Sequence, residues 1–226
     1  MMRYAIAFAA GLTVAACTPT EPPVVAAASA KTNPPVERTG IVRRGDRGLT
    51  LWGPQKDVGD MAPVGTLRDN DNKPFTVNFA DGTVRAVIVV PSLDTPTCSL
   101  ETRTFNGRAS DMGESVEVLV ISRDLPAAQK RFCGAMGIDR IITLSDFDDG
   151  AFGESWGLLV KETRLLARAV AVVDGSGRIT YLEVVENIPE EPDYDGAIAA
   201  LAELVPPPPP APEGGDEAAD GDTPEE

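Results

Sequence analysis

Cys98 closes the run Pro91-Ser92-Leu93-Asp94-Thr95-Pro96-Thr97-Cys98, which follows the apolar segment Val84 to Val90 and precedes a stretch of helical character. A thiol at a helix N-terminus faces unpaired backbone N–H groups and the positive end of the helix dipole, and both favour thiolate over thiol. Cys98 is therefore a candidate nucleophile. Only two other cysteines exist: Cys133 in a second helical stretch, and Cys17 near the start of the chain. If Cys17 serves a separate purpose, Cys98 and Cys133 are the minimum for either an intramolecular redox pair or a structural disulfide. The sequence contains no histidine, which removes a Cys-His arrangement and leaves solvent or substrate oxygen to carry protons. It also has no Cys-x-x-Cys pair, phosphate-binding glycine fingerprint or Cys/His constellation, so neither a metal nor a cofactor is expected.

The elements that must hold these residues read as a mixed α/β order. Val84 to Val90 is apolar enough for a buried strand, and Val116 to Ile121 reads as another central one. Leu49 to Trp52 suits half of an N-terminal hairpin, followed by a Gly/Asp/Pro-rich connection from Gly53 to Gly65. Phe75 to Phe79 alternates before an Asp81-Gly82 turn. A helix is expected from Thr97 through Arg108. Asp124 or Ser122 is expected to cap the next one, with Pro126 in its first turn and Ala127 to Cys133 in its body. Further on come a short strand at Ile141 to Leu144 and a helical turn at Phe152 to Leu158. Ala169 to Val173 and Ile179 to Val184 form a hairpin around Asp174-Gly175-Ser176-Gly177, and the last helix runs from Asp193 to Leu204. This order suits an α/β, thioredoxin-like fold with a mixed central sheet flanked by helices.

The two ends differ in kind from this core. Arg3 precedes the mainly apolar stretch Tyr4 to Ala16, which is too short to span a bilayer but fits a secretory signal over residues 1–16. It resembles a bacterial lipoprotein signal, which implies that Cys17 becomes the lipidated first residue and that the protein is exported to the cell envelope and attached to a membrane. Residues 17–39 are rich in Pro and Ala and read as a disordered linker, and residues 40–205 as one domain. Residues 206–226, a polyproline run and then an acidic stretch without a basic residue, read as a disordered tail. The net charge of -15 excludes nucleic-acid binding through a broad basic surface.

Four ordered segments carry a family resemblance: the Pro91 to Cys98 run, Ser122 to Ala135 around Cys133, Leu165 to Val170, and Glu191-Pro192-Asp193-Tyr194-Asp195. Together they resemble the atypical two-cysteine peroxiredoxins of the bacterial thiol peroxidase family, over roughly Gly48 to Leu204. The resemblance implies a peroxiredoxin-type fold in which Cys98 is the peroxidatic nucleophile, Cys133 the resolving thiol, and Thr95 and Arg168 the other active-site residues. It further implies a hydroperoxide substrate, a Cys98 sulfenic acid, an intramolecular Cys98–Cys133 disulfide, a thioredoxin-like dithiol reductant and a homodimer. Arginine supplies permanent charge and planar donors that suit a thiolate and a peroxide together; the Thr95 hydroxyl can bond to either. Two departures stand out. Thr97 precedes Cys98 where relatives often have an aliphatic residue, and Val160 to Leu166 is shorter than the usual connection before the arginine-bearing strand.

Overall fold

The computed structural model describes residues 36–109 and 115–205. The expected signal, Cys17 and the acidic tail lie outside them. An antiparallel hairpin opens the fold, β1 (Glu37–Arg44) and β2 (Arg47–Trp52), and a second follows, β3 (Gly65–Arg68) and β4 (Pro74–Val77). Next come β5 (Val84–Val89), helix α1 (Pro96–Ala109), β6 (Val116–Ser122), helix α2 (Pro126–Met136) and β7 (Ile142–Ser145). The short helix α3 (Ala151–Ser155), β8 (Leu159–Val160), β9 (Ala169–Val173), β10 (Ile179–Val184) and α4 (Tyr194–Leu204) complete it. β1 begins three residues inside the expected linker, because Glu37 and Arg38 pair with Trp52 and Leu51.

Seven strands form one mixed sheet in the order β10-β9-β5-β6-β7-β3-β4, and β1-β2-β8 form a smaller one. β5, β6 and β7 run parallel, while β9 and β3 are antiparallel to their neighbours. Successive side chains on a strand point to opposite faces, so each central strand feeds two cores. Ala86, Ile88 and Val90, with Val118, Val120, Val170 and Val172, face α1 and α4. Val87, Val89, Leu119, Ile121, Ala169, Ala171 and Val173 face the opposite core, which includes Leu49, Leu51, Phe152 and Trp156. This two-sided burial explains why β5, β6 and β9 read as unbroken apolar runs. It also places Trp156 in the core, between Phe79 and Phe152.

The strands β3 and β8, and the bounds of β1, go beyond what the sequence predicts. β3 and β8 have four and two residues, and β1 is largely polar, so none carries a strong periodic signal. At the end of β2, Gly53 adopts φ 109°, and a Cβ there would lie 1.8 Å from the Glu154 backbone oxygen. Only glycine lets the chain turn this close to α3.

Candidate active site

Cys98 lies in the first turn of α1, just beyond the C-terminal end of β5, and is fully buried. The loop between them is held from below. Asp124, past the end of β6, accepts from Ser92 Oγ (2.7 Å), the Leu93 backbone N–H (2.7 Å) and Ser122 Oγ (2.8 Å). The expectation that Asp124 or Ser122 caps α2 is thereby corrected. The N-cap is Leu125, with no side-chain capping bond; Asp124 serves the Cys98 loop instead, and Ser122 Oγ donates to Asp124 and accepts from Gln129 Nε2. With Pro126 opening the helix, Asp124 falls just outside it and is free to reach across to the neighbouring strand's loop.

β9 delivers Arg168 to the same place. Val170 and Val172 face α1, and Arg168, of the same parity, enters on that face. It is buried to all but 2%, and each of its three nitrogens has a partner. Nη2 donates to Cys98 Sγ at 3.4 Å, Nε donates to the Ile188 carbonyl at 3.0 Å, and Nη1 donates to Glu101 Oε2. An arginine anchored on two other partners is held in one orientation against the sulfur.

Glu101 went unnoticed in the sequence. It lies one helical turn after Cys98, on the same face of α1, a spacing that could have found it. Its carboxyl is wholly buried, and Oε1 has no partner among the described residues. Burial pushes the group up to about 8, against the opposing pull of Arg168. Glu101 and Cys98 thus share one guanidinium, and a neutral Glu101 leaves the Arg168 charge to the sulfur.

Thr95 stands at the entrance, its hydroxyl donating to the Ser92 carbonyl at 3.0 Å and making no bond to Cys98. That donation uses the hydroxyl proton and leaves lone pairs to accept from a bound hydroperoxide. Thr95, Thr97, Arg44, Pro91, Arg168, Ile188 and Pro189 line a cavity of about 120 Å³. Cys98 does not line it, so Arg168 is the group that spans cavity and sulfur. Thr97 turns its hydroxyl to the Pro189 carbonyl at 3.2 Å, binding α1 to the segment before α4.

Cys133 sits on α2, half-buried, and both thiols are free. Its Sγ lies 3.3 Å from Thr143 Oγ1 on β7. Thr143 is itself held by Asn70 from the β3–β4 turn, through Nδ2 (2.8 Å) and Oδ1 (3.0 Å). α2 is weakly rooted. Only Pro126 and Gln129 are buried, Gly134 weakens its last turn, and Leu125 and Met136 at its ends are exposed.

A buried thiol against an arginine at a strand-to-helix turn, on a seven-stranded mixed sheet, defines a thioredoxin-fold thiol enzyme. The Redoxin family matches residues 57–198. The thiol peroxidase of Oceanobacillus iheyensis is 46% identical over 153 residues, spanning 68% of this chain and 93% of that protein. The thiol peroxidase of Listeria innocua is 49% identical over 152 residues, spanning 67% and 92%. Among solved structures, a peroxiredoxin-like protein from Aquifex aeolicus superposes with a TM-score of 0.70 at 38% identity, covering 74% of this chain and 99% of that one. The chain belongs to the thiol peroxidase family and is a thiol-dependent peroxidase that reduces hydroperoxides through a redox-active cysteine.

Proposed function

We propose that Cys98 is the peroxidatic nucleophile and Cys133 the resolving thiol of this peroxidase. The observation that carries the assignment is the 3.4 Å contact from Arg168 Nη2 to Cys98 Sγ, inside a site where that guanidinium is otherwise fixed. A charge-assisted donor favours the thiolate and remains to stabilise negative charge on the departing oxygen. The thiolate attacks the terminal peroxide oxygen, the O–O bond breaks, and the leaving alkoxide or hydroxide takes a proton from solvent. Cys98 becomes a sulfenic acid. Thr95 accepts from the peroxide at the cavity mouth.

Cys133 then attacks the sulfenic sulfur, forming the Cys98–Cys133 disulfide while the hydroxyl leaves as water. The two cysteines occupy different helices separated by β6, so resolution requires local opening, and α2 has the smaller buried anchor. A thioredoxin-like dithiol donor restores both thiols by exchange. The enzyme works as a homodimer at the cell envelope, exported by residues 1–16 and tethered through lipidated Cys17. Support for this placement is the signal-like pattern of the N-terminus.

The test is peroxide consumption driven by a thioredoxin system, with wild type, Cys98→Ser and Cys133→Ser compared. Sustained turnover by wild type and none by Cys98→Ser supports the assignment; turnover by Cys98→Ser rejects it. Membrane-fraction recovery that is lost in Cys17→Ala supports the tether, and unchanged recovery rejects it.

A further inference from the structure

We propose that the β3–β4 turn is a clasp on the resolving helix, and that Asn70 and Thr143 set the rate at which Cys133 is released to meet oxidised Cys98. This rests on the assignment of Cys133 as the resolving thiol. Four bonds from Asp69 to Lys73 shape the turn. The Asp71 and Lys73 N–H groups donate to Asp69 Oδ1, the Asp69 N–H to the Lys73 carbonyl, and the Asn72 N–H to the Asp69 carbonyl. From this rigid base two side chains reach α2. Asp71 pairs with Lys130 Nζ at 2.7 Å, and Asn70 reaches Thr143 beside Cys133. Lys130 and Cys133 are three residues apart, so both lie on the helix face that meets the turn.

Thr143 Oγ1 accepts from Asn70 Nδ2 at 2.8 Å and lies 3.0 Å from Asn70 Oδ1. Cys133 Sγ lies 3.3 Å from the same Thr143 oxygen, a contact in which either atom can donate, and Asn70 Nδ2 reaches the sulfur at 4.0 Å. The network therefore holds Cys133 docked against β7. Thr143 is 2% exposed, so this contact is sheltered from competing water. Condensation of Cys133 with the Cys98 sulfenic acid forms an S–S bond and releases water, and it requires the contact between Cys133 and Thr143 to break first. These polar ties act beside the packing of Phe132 and the Gln129 Nε2 donations to Ser122 Oγ and the Leu144 carbonyl in keeping α2 closed.

Asn70 and Thr143 are positioning residues; neither touches the peroxide. The test is a single turnover: reduced protein is mixed with one equivalent of hydrogen peroxide, quenched at intervals, and the Cys98 sulfenic acid and the disulfide are quantified by mass spectrometry. Thr143→Val keeps the shape without the hydroxyl, and Thr143→Ser keeps the hydroxyl. We expect Thr143→Val and Asn70→Ala to oxidise Cys98 at the wild-type rate but form the disulfide about fivefold faster. They should also accumulate less Cys98 sulfinic acid under excess peroxide, with Thr143→Ser behaving as wild type. A merely structural role would not separate oxidation from resolution or be rescued by serine. Disulfide formation at the wild-type rate or slower in both Thr143→Val and Asn70→Ala overturns the clasp. Absence of the disulfide in wild type overturns instead the pairing on which the clasp rests.

Discussion

At the scale of the residue, the site depends on one guanidinium with three fixed tasks. Arg168→Lys keeps the charge but cannot hold Cys98, Glu101 and the Ile188 carbonyl together, so the second-order rate with hydrogen peroxide should fall by about 100-fold, read by stopped-flow. A rate within threefold of wild type would mean that charge alone suffices. Glu101→Ala leaves a buried arginine short of its carboxyl partner and opens a cavity, and should cost about 3 kcal/mol in urea unfolding. Cys98 was legible in the sequence because a thiol after an apolar strand and before a helix has a distinct electrostatic setting. Arg168 was legible through family resemblance, and only the alternation of β9 shows why its side chain enters on the α1 face. Glu101 was not legible because an acidic residue in a helix ordinarily faces solvent, and only the tertiary position of Arg168 makes its burial possible.

At the scale of the element, the Cys98 loop is braced from β6 and the Cys133 helix from β7 and the β3–β4 turn. Asp124→Ala removes the acceptor for Ser92, Leu93 and Ser122 and should lower unfolding free energy by about 2 kcal/mol, with a slower reaction at Cys98. Equal stability and rate in that variant would show that the loop holds itself. The sequence suggested Asp124 as a helix cap, a sound local reading of an acidic residue two positions before Pro126. Tertiary structure overrode it by offering two donors from a different segment, Ser92 Oγ and the Leu93 N–H. The β9–β10 hairpin and the central strands, by contrast, were read within a residue of their observed bounds, because continuous β-branched runs bounded by Asp-Gly turns permit few alternatives. The β3–β4 turn was opaque for the opposite reason. Its importance lies in contacts to a helix more than fifty residues away, which no local pattern encodes.

At the scale of the whole molecule, two buried carboxyls give stability a definite pH dependence. Burial raises Glu101 from 4.5 to about 8 and Asp146 from 3.8 to about 6, so the native state keeps protons that the unfolded chain has already lost. Their contribution is full below the unfolded values and is lost as pH rises through the folded ones. The urea midpoint should therefore fall between about pH 5 and pH 8, and Glu101→Gln should flatten that fall above pH 6. An unchanged slope in that variant would place the titration elsewhere. The proposed mechanism, finally, reduces to one bond. The most direct measurement is intact and peptide mass spectrometry of reduced protein treated with one equivalent of hydrogen peroxide. The expected product has lost two hydrogens and yields a peptide pair linked through Cys98 and Cys133, with Cys133→Ser stopping at Cys98 sulfenic acid. Oxidation that leaves Cys98 as a free thiol, or links neither cysteine to the other, would contradict the assignment.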